Sequence, residues 1–144
     1  MSTELGEDHF NIEPLVHSVA LLFTDANIEL GSGELQVYAD KDQLQQVLVN
    51  LLKNACESMY NNPTETINVY WRKDSQFIEV EILDRGTGIN NIDNLFVPFY
   101  TTKQQGTGIG LSLSRQILVN HGGDLVIKNR PDQTGVQATL LIPA

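Results

Sequence analysis

Residues 40–59 read DKDQLQQVLVNLLKNACESM. Leu44, Val47, Leu48, Leu51, Leu52, Ala55 and Met59 recur at i, i+3 and i+4 spacing, which predicts a long one-faced helix over about 41–60. Asp40 is suited to cap its start, and Asn61-Asn62-Pro63 to end it. Ahead of it, Leu35, Val37 and Ala39 alternate with polar residues, so 34–39 reads as a strand. Further upstream, Leu15, Val16, Val19, Ala20 and Phe23 keep helical spacing, with Pro14 in a first turn.

Downstream the period changes to two. Ile67, Val69 and Trp71 alternate, as do Ile78, Val80 and Ile82, which predicts a hairpin turning near Lys73-Asp74-Ser75. Residues 84–107 are rich in Gly, Asn, Thr and Gln and are too long for an ordinary connector. A second helix over about 108–121 stops at Gly122-Gly123. Two strands, about 124–129 and 135–142, follow with a turn near Pro131-Asp132. This order predicts an α+β, two-layer sandwich, with a mixed, mostly antiparallel sheet covered on one face by helices.

The chain has 144 residues, enough for one domain with its own core. Residues 1–9 are polar and acidic and read as a disordered lead or an artificial end, leaving 10–144 as the domain. Nine Lys and Arg against 18 Asp and Glu give a net charge of -9, which argues against a nucleic-acid or anionic-membrane surface. No apolar run approaches the roughly 18 residues of a membrane span. The single Cys56 excludes an internal disulfide and reads as a small, buried apolar residue. A reducing, cytoplasmic setting is expected.

Four features break the local patterning. Asn50 and Asn54 stand four apart on one helix face, although Asn is a poor interior helix residue. They are either a solvated face or amide oxygens aimed at a cation such as phosphate-bound Mg. Asp84 continues the inward parity of Ile78, Val80 and Ile82. It is either a turn aspartate within Asp84-Arg85-Gly86 or a carboxylate that accepts from a ligand amino group. Gly86 and Gly88 follow it, and Gly106, Gly108 and Gly110 open the second helix, where unpaired N–H groups suit phosphate. Leu111 stands where a dinucleotide fingerprint would have its third glycine, and there is no P-loop. Finally, Val97-Pro98-Phe99-Tyr100-Thr101-Thr102-Lys103 puts aromatics and a lysine in a polar loop. They are either an anchor with a solvated lysine or a lid whose lysine meets phosphate.

Together these stretches resemble the ATP-binding catalytic domain of sensor histidine kinases, whose Bergerat-type fold is shared with gyrase, heat-shock chaperone and MutL ATPases. Asn50-Leu51-Leu52-Lys53-Asn54-Ala55 resembles the N box, and Asp84-Arg85-Gly86-Thr87-Gly88-Ile89 the first glycine box. Phe96-Val97-Pro98-Phe99 with Thr101-Thr102-Lys103 resembles the F box, and Gly106-Thr107-Gly108-Ile109-Gly110-Leu111 the second glycine box. The Pro-Phe-Tyr-Thr-Thr-Lys form is most similar to nitrogen-regulation-type kinases.

The resemblance implies ATP and Mg as ligands. Asn54 would be the Mg-coordinating amide, with Asn50 beside it; these two form the catalytic pair. Asp84 would accept from the adenine amino group. Gly86, Gly88, Ile89, Gly106, Thr107, Gly108, Gly110 and Leu111 would approach the nucleotide. Phe99, Thr102 and Lys103 would belong to the ATP lid, and Thr139 would lie near the adenine. The implied reaction is transfer of the ATP γ-phosphate to a histidine on a dimerisation domain outside this chain, within a two-component system that signals to a response regulator. The domain is expected to be a monomer in isolation, cytoplasmic and without direct membrane contact, though part of a membrane-associated kinase. ATPase branches of the superfamily carry a glutamate base where this chain has Asn50, so fast hydrolysis is not expected. His9, His17 and His121 do not resemble a phosphoacceptor and read as structural or exposed. A stand-alone ATP-binding regulatory module and an anti-sigma-type serine kinase are the alternatives.

Overall fold

The computed structural model describes residues 6–59, 65–86, 110–131 and 134–144. The elements run β1 (Glu7–Asn11), α1 (Ile12–Ala20), β2 (Asn27–Leu30), β3 (Gln36–Asp40), α2 (Lys41–Ser58), β4 (Thr66–Lys73), β5 (Phe77–Leu83), α3 (Gly110–Asn120), β6 (Asp124–Asn129) and β7 (Val136–Pro143). Five strands form one sheet in the order β2-β4-β5-β7-β6. Only the β2–β4 pair is parallel; the other pairs in it are antiparallel. The expected mixed, mostly antiparallel sheet with a helical layer is the architecture found. The expected ends and turns at Asn61-Asn62-Pro63 and Asp132 lie outside the described residues.

The core is the seam between helices and sheet. Leu44, Leu48 and Leu52 of α2 meet Ile67 and Val69 of β4, Ile78 and Val80 of β5, and Leu140 and Ile142 of β7 in one buried cluster. Each such side chain, fully buried, contributes roughly 1.5–3 kcal/mol. Asp40 caps α2 by accepting from the Gln43 N–H at 3.1 Å, which fixes where β3 ends and the helix begins.

Two features depart from the sequence reading. Residues 7–9, expected in a disordered lead, belong to β1, which pairs antiparallel with β3 from Glu7↔Asp40 to Asn11↔Gln36. The pairing, supported by the His9–Tyr38 ring contact at 4.6 Å, orders a segment whose composition is polar. The parallel edge strand β2 had no counterpart in the sequence reading; its four residues carry too short an alternation to register.

His121 joins the helical layer to β3. Its Nε2 accepts from the Asp40 N–H at 3.0 Å, so Nδ1 carries the proton and donates to Ile117 O at 2.8 Å. This is a structural role, as expected for this residue; His17 is exposed.

Candidate functional site

The helix α2 forms one wall of the candidate site, and its polar residues mark two ends. Asn50 meets the first turns of α3: its Nδ2 donates to Ser114 Oγ at 3.2 Å, and Gly110 sits beside its amide carbon. Among the described residues, the Asn50 Oδ1 takes no hydrogen bond. Ser114 is fully buried, so it holds the amide from the core side. Asn54, half-buried, lies one turn further along α2. Two turns beyond Asn50, Ser58 packs against Gly86. A Cβ on Gly86 would collide with the Ser58 carbonyl oxygen and lie 2.6 Å from its Oγ. The glycine is therefore required by a close approach. The two ends are about 12 Å apart along the helix axis, at 1.5 Å per residue.

Asp84 defines the Ser58 end. It follows β5 with the inward parity of Ile78, Val80 and Ile82 and is 4% exposed. Its Oδ1 accepts from the Gly86 N–H at 2.9 Å and the Val136 N–H at 3.0 Å. Among the described residues, Oδ2 accepts nothing. No fully buried side-chain oxygen or nitrogen there lacks a partner, so Oδ2 keeps an open side. The turn reading of Asp84 from the sequence is thus realised through Oδ1. One oxygen builds the turn, and the other is left available to a ligand donor.

The main chain around Asp84 is held from three sides. Its N–H donates to Val136 O at 3.0 Å, and its carbonyl accepts from Arg130 Nη1 at 3.1 Å. The next N–H, that of Arg85, donates to the Met59 sulfur at 3.1 Å. Gly135, with φ +127°, lets the chain pass where any Cβ would strike the Asp84 carbonyl.

Asn50 with Gly110 marks one end of this wall and Asp84 with Gly86 the other, Asn54 stands between them along α2, and Leu111, in the first turn of α3, packs against the core. Thr139 is not brought to this wall. Thr139 pairs with Glu81 and Val126, on the sheet face opposite to buried Ala138, Leu140 and Ile142. Its placement near the adenine is corrected on that ground: period-two alternation points it away from the helices. Gly88, Ile89, Phe99, Thr102, Lys103, Gly106, Thr107 and Gly108 lie outside the described residues. Ser58, Ser114, Gly135 and Val136 were not singled out from the sequence. Ser114 carried a signal, since it interrupts an apolar stripe with Ile117 and Leu118.

A carboxylate oxygen at one end and a helix N-terminus at the other suit a ligand with an amino-bearing ring and an anionic tail. The fold is a two-layer α/β sandwich whose long helix α2 carries these polar residues. The chain belongs to the histidine kinase-, DNA gyrase B- and HSP90-like ATPase family, whose model matches residues 39–144. It is 32% identical to sporulation kinase A of Bacillus subtilis (strain 168) over 137 residues, covering 88% of this chain and 22% of that protein. The chain therefore spans about a fifth of that relative's length. It superposes on the catalytic domain of histidine kinase ThkA with a TM-score of 0.81, at 32% identity and 95% coverage of both chains. It also matches ThkA in complex with the response regulator protein TrrA, with a TM-score of 0.79 at 29% identity, covering 96% of this chain and 42% of that one. These relatives place it among the ATP-binding catalytic domains of two-component sensor histidine kinases.

Proposed function

We propose that ATP lies along α2, with adenine at Asp84 and phosphates at the N-terminus of α3, and that its γ-phosphate is delivered to a histidine on a dimerisation domain of a longer protein. The observation that carries this is the divided Asp84 carboxylate. Oδ1 is held by two backbone N–H groups, while Oδ2 remains for the adenine amino group. Gly86 and Gly135 keep the chain close on either side, and the first N–H groups of α3 face the phosphates.

The donor set also fits Mg, a hard cation that takes few protein oxygens and keeps waters and phosphate ligands. Asn54 would hold it, with Asn50 Oδ1 alongside. When bound, Mg neutralises charge on the transferring phosphate. Lys103, Phe99 and Thr102 would belong to the lid over the nucleotide, and Gly88, Ile89, Gly106, Thr107 and Gly108 would line its path. With an amide at position 50, that residue supplies no proton acceptor for water. Its work is positioning. In the transfer, the bond between the γ-phosphorus and the ADP oxygen breaks as a bond to the partner's imidazole nitrogen forms.

The domain would comprise β1 through β7 and act as a monomeric unit. It would be attached to a cytoplasmic, nitrogen-regulation-type kinase at the membrane and would signal to a response regulator; the ThkA–TrrA complex supports the last point. No helix among the described residues is long and apolar enough to cross a membrane.

The test is incubation of this chain with Mg·ATP and a histidine-containing dimerisation domain of a close relative. The expected product is protein phosphate that is stable to base and labile to acid. Acid-stable phosphate on serine would contradict the proposal, as would ATP binding without any phosphate transfer.

A further inference from the structure

A cavity of about 310 Å³ opens between the α1–β2 connection, the last turn of α2 and the start of β4. Its apolar lining is Leu22, Phe23, Ala26, Met59 and Ile67, with the neutral polar Thr24 and Asn27 beside them. Its charged lining consists of the carboxylates of Asp25 and Glu65; among its described lining residues there is no Lys, Arg or His. Glu65 is shared with Arg85 through an ion pair at 3.2 Å. Among the described residues, Asp25 takes part in no ion pair or side-chain hydrogen bond. The volume reaches the lower end of small-molecule pockets, which run from about 300 Å³ upward. It equals the share of roughly ten waters at ~30 Å³ each.

The cavity is wired to the Asp84 turn. Met59 lines it while its sulfur accepts from the Arg85 N–H, and Glu65 lines it while holding the Arg85 guanidinium. Cys56, the sole cysteine of the chain, completes this wall.

We propose that this cavity binds a small organic cation, a protonated amine on a compact apolar body, and that occupancy is transmitted to Arg85 and Gly86. The apolar walls take the body. The unpaired Asp25 takes the ammonium, with Glu65 as a second acceptor when it leaves Arg85. An anion of the same shape meets the like charge of Asp25 and, among the described lining residues, no positively charged side chain.

The experiment uses the nucleotide-free chain, so it stands apart from the ATP assignment. Phenethylamine, 2-phenylethanol and phenylacetate, which share one shape, are titrated separately while the methyl resonances of Ala26, Met59 and Ile67 and the amides of Arg85 and Gly86 are followed. Saturable shifts with phenethylamine are expected, with phenylacetate weaker by about tenfold or more. Asp25→Asn, a surface change that leaves the core intact, should bring the amine to the level of the alcohol. Phenethylamine at saturation should also slow alkylation of Cys56 by N-ethylmaleimide. Non-saturating shifts spread over the acidic surface would overturn the proposal, as would equal binding of phenylacetate or unchanged Cys56 alkylation.

Discussion

Gly135 lies against the carbonyl oxygen of Asp84, with no space for a Cβ between them. The contact joins the start of β7 to the end of β5, 51 residues apart in sequence, and brings the Val136 N–H onto Asp84 Oδ1. Gly135→Ala should cost about 1–3 kcal/mol through its strained φ and the backbone clash. It should also weaken ATP binding, because the Asp84 carboxylate must shift. Chemical denaturation and calorimetric titration of the same variant check both.

Among the described residues, Ser114 accepts the one hydrogen bond that joins the Asn50 side chain to α3. Ser114→Ala removes a positioning contact but leaves Asn50 itself. A single hydrogen bond of about 1 kcal/mol corresponds to roughly a fivefold rise in the Kd for Mg·ATP, and a smaller effect than Asn50→Ala is expected. Titration of both variants against wild type measures the difference.

In the proposed complex Asn54 holds the metal. Asn54→Ala should weaken ATP binding with Mg present far more than with the metal removed by EDTA. Equal losses in the two conditions would make Asn54 a packing residue.

The acid limb of stability should depend on Asp40. The Gln43 and Gly6 N–H groups, in that order, hold its carboxyl below the ordinary 3.8 against desolvation, with a smaller contribution from the Asp42 N–H. A folded-state value below the unfolded one means that the unfolded chain takes up the proton first. The stabilisation is therefore present above the unfolded value and lost as pH falls through the folded one. Asp74 acts in the same direction through the Phe77 and Gln76 N–H groups. Wild-type stability should fall between about pH 5 and pH 2. Asp40→Asn, which keeps a competent helix cap, should flatten that fall. Urea denaturation across this range gives the two slopes.

The long helix was readable because α2 has 18 residues and repeats its apolar stripe over five turns. The β4–β5 hairpin was readable because its strands alternate cleanly. The same alternation correctly turned Asp84 inward, and applied to β7 it would have turned Thr139 outward. β1 and β2 escaped notice because their order comes from pairing with distant strands and leaves little trace in five and four residues. The partners of Asp84 were equally hidden. Backbone N–H groups such as that of Val136 carry no residue signature, so the division of labour between Oδ1 and Oδ2 emerges only when β5 and β7 are placed side by side.

That division is most directly tested by calorimetric titration of ATP into wild type and Asp84→Asn. The asparagine oxygen can still accept from Gly86 and Val136, so the fold should persist with an unchanged far-ultraviolet circular dichroism spectrum. Its amide nitrogen would then face the adenine amino group, donor against donor, and ATP binding should be lost. Undiminished affinity in a folded Asp84→Asn protein would contradict the placement of adenine at Asp84.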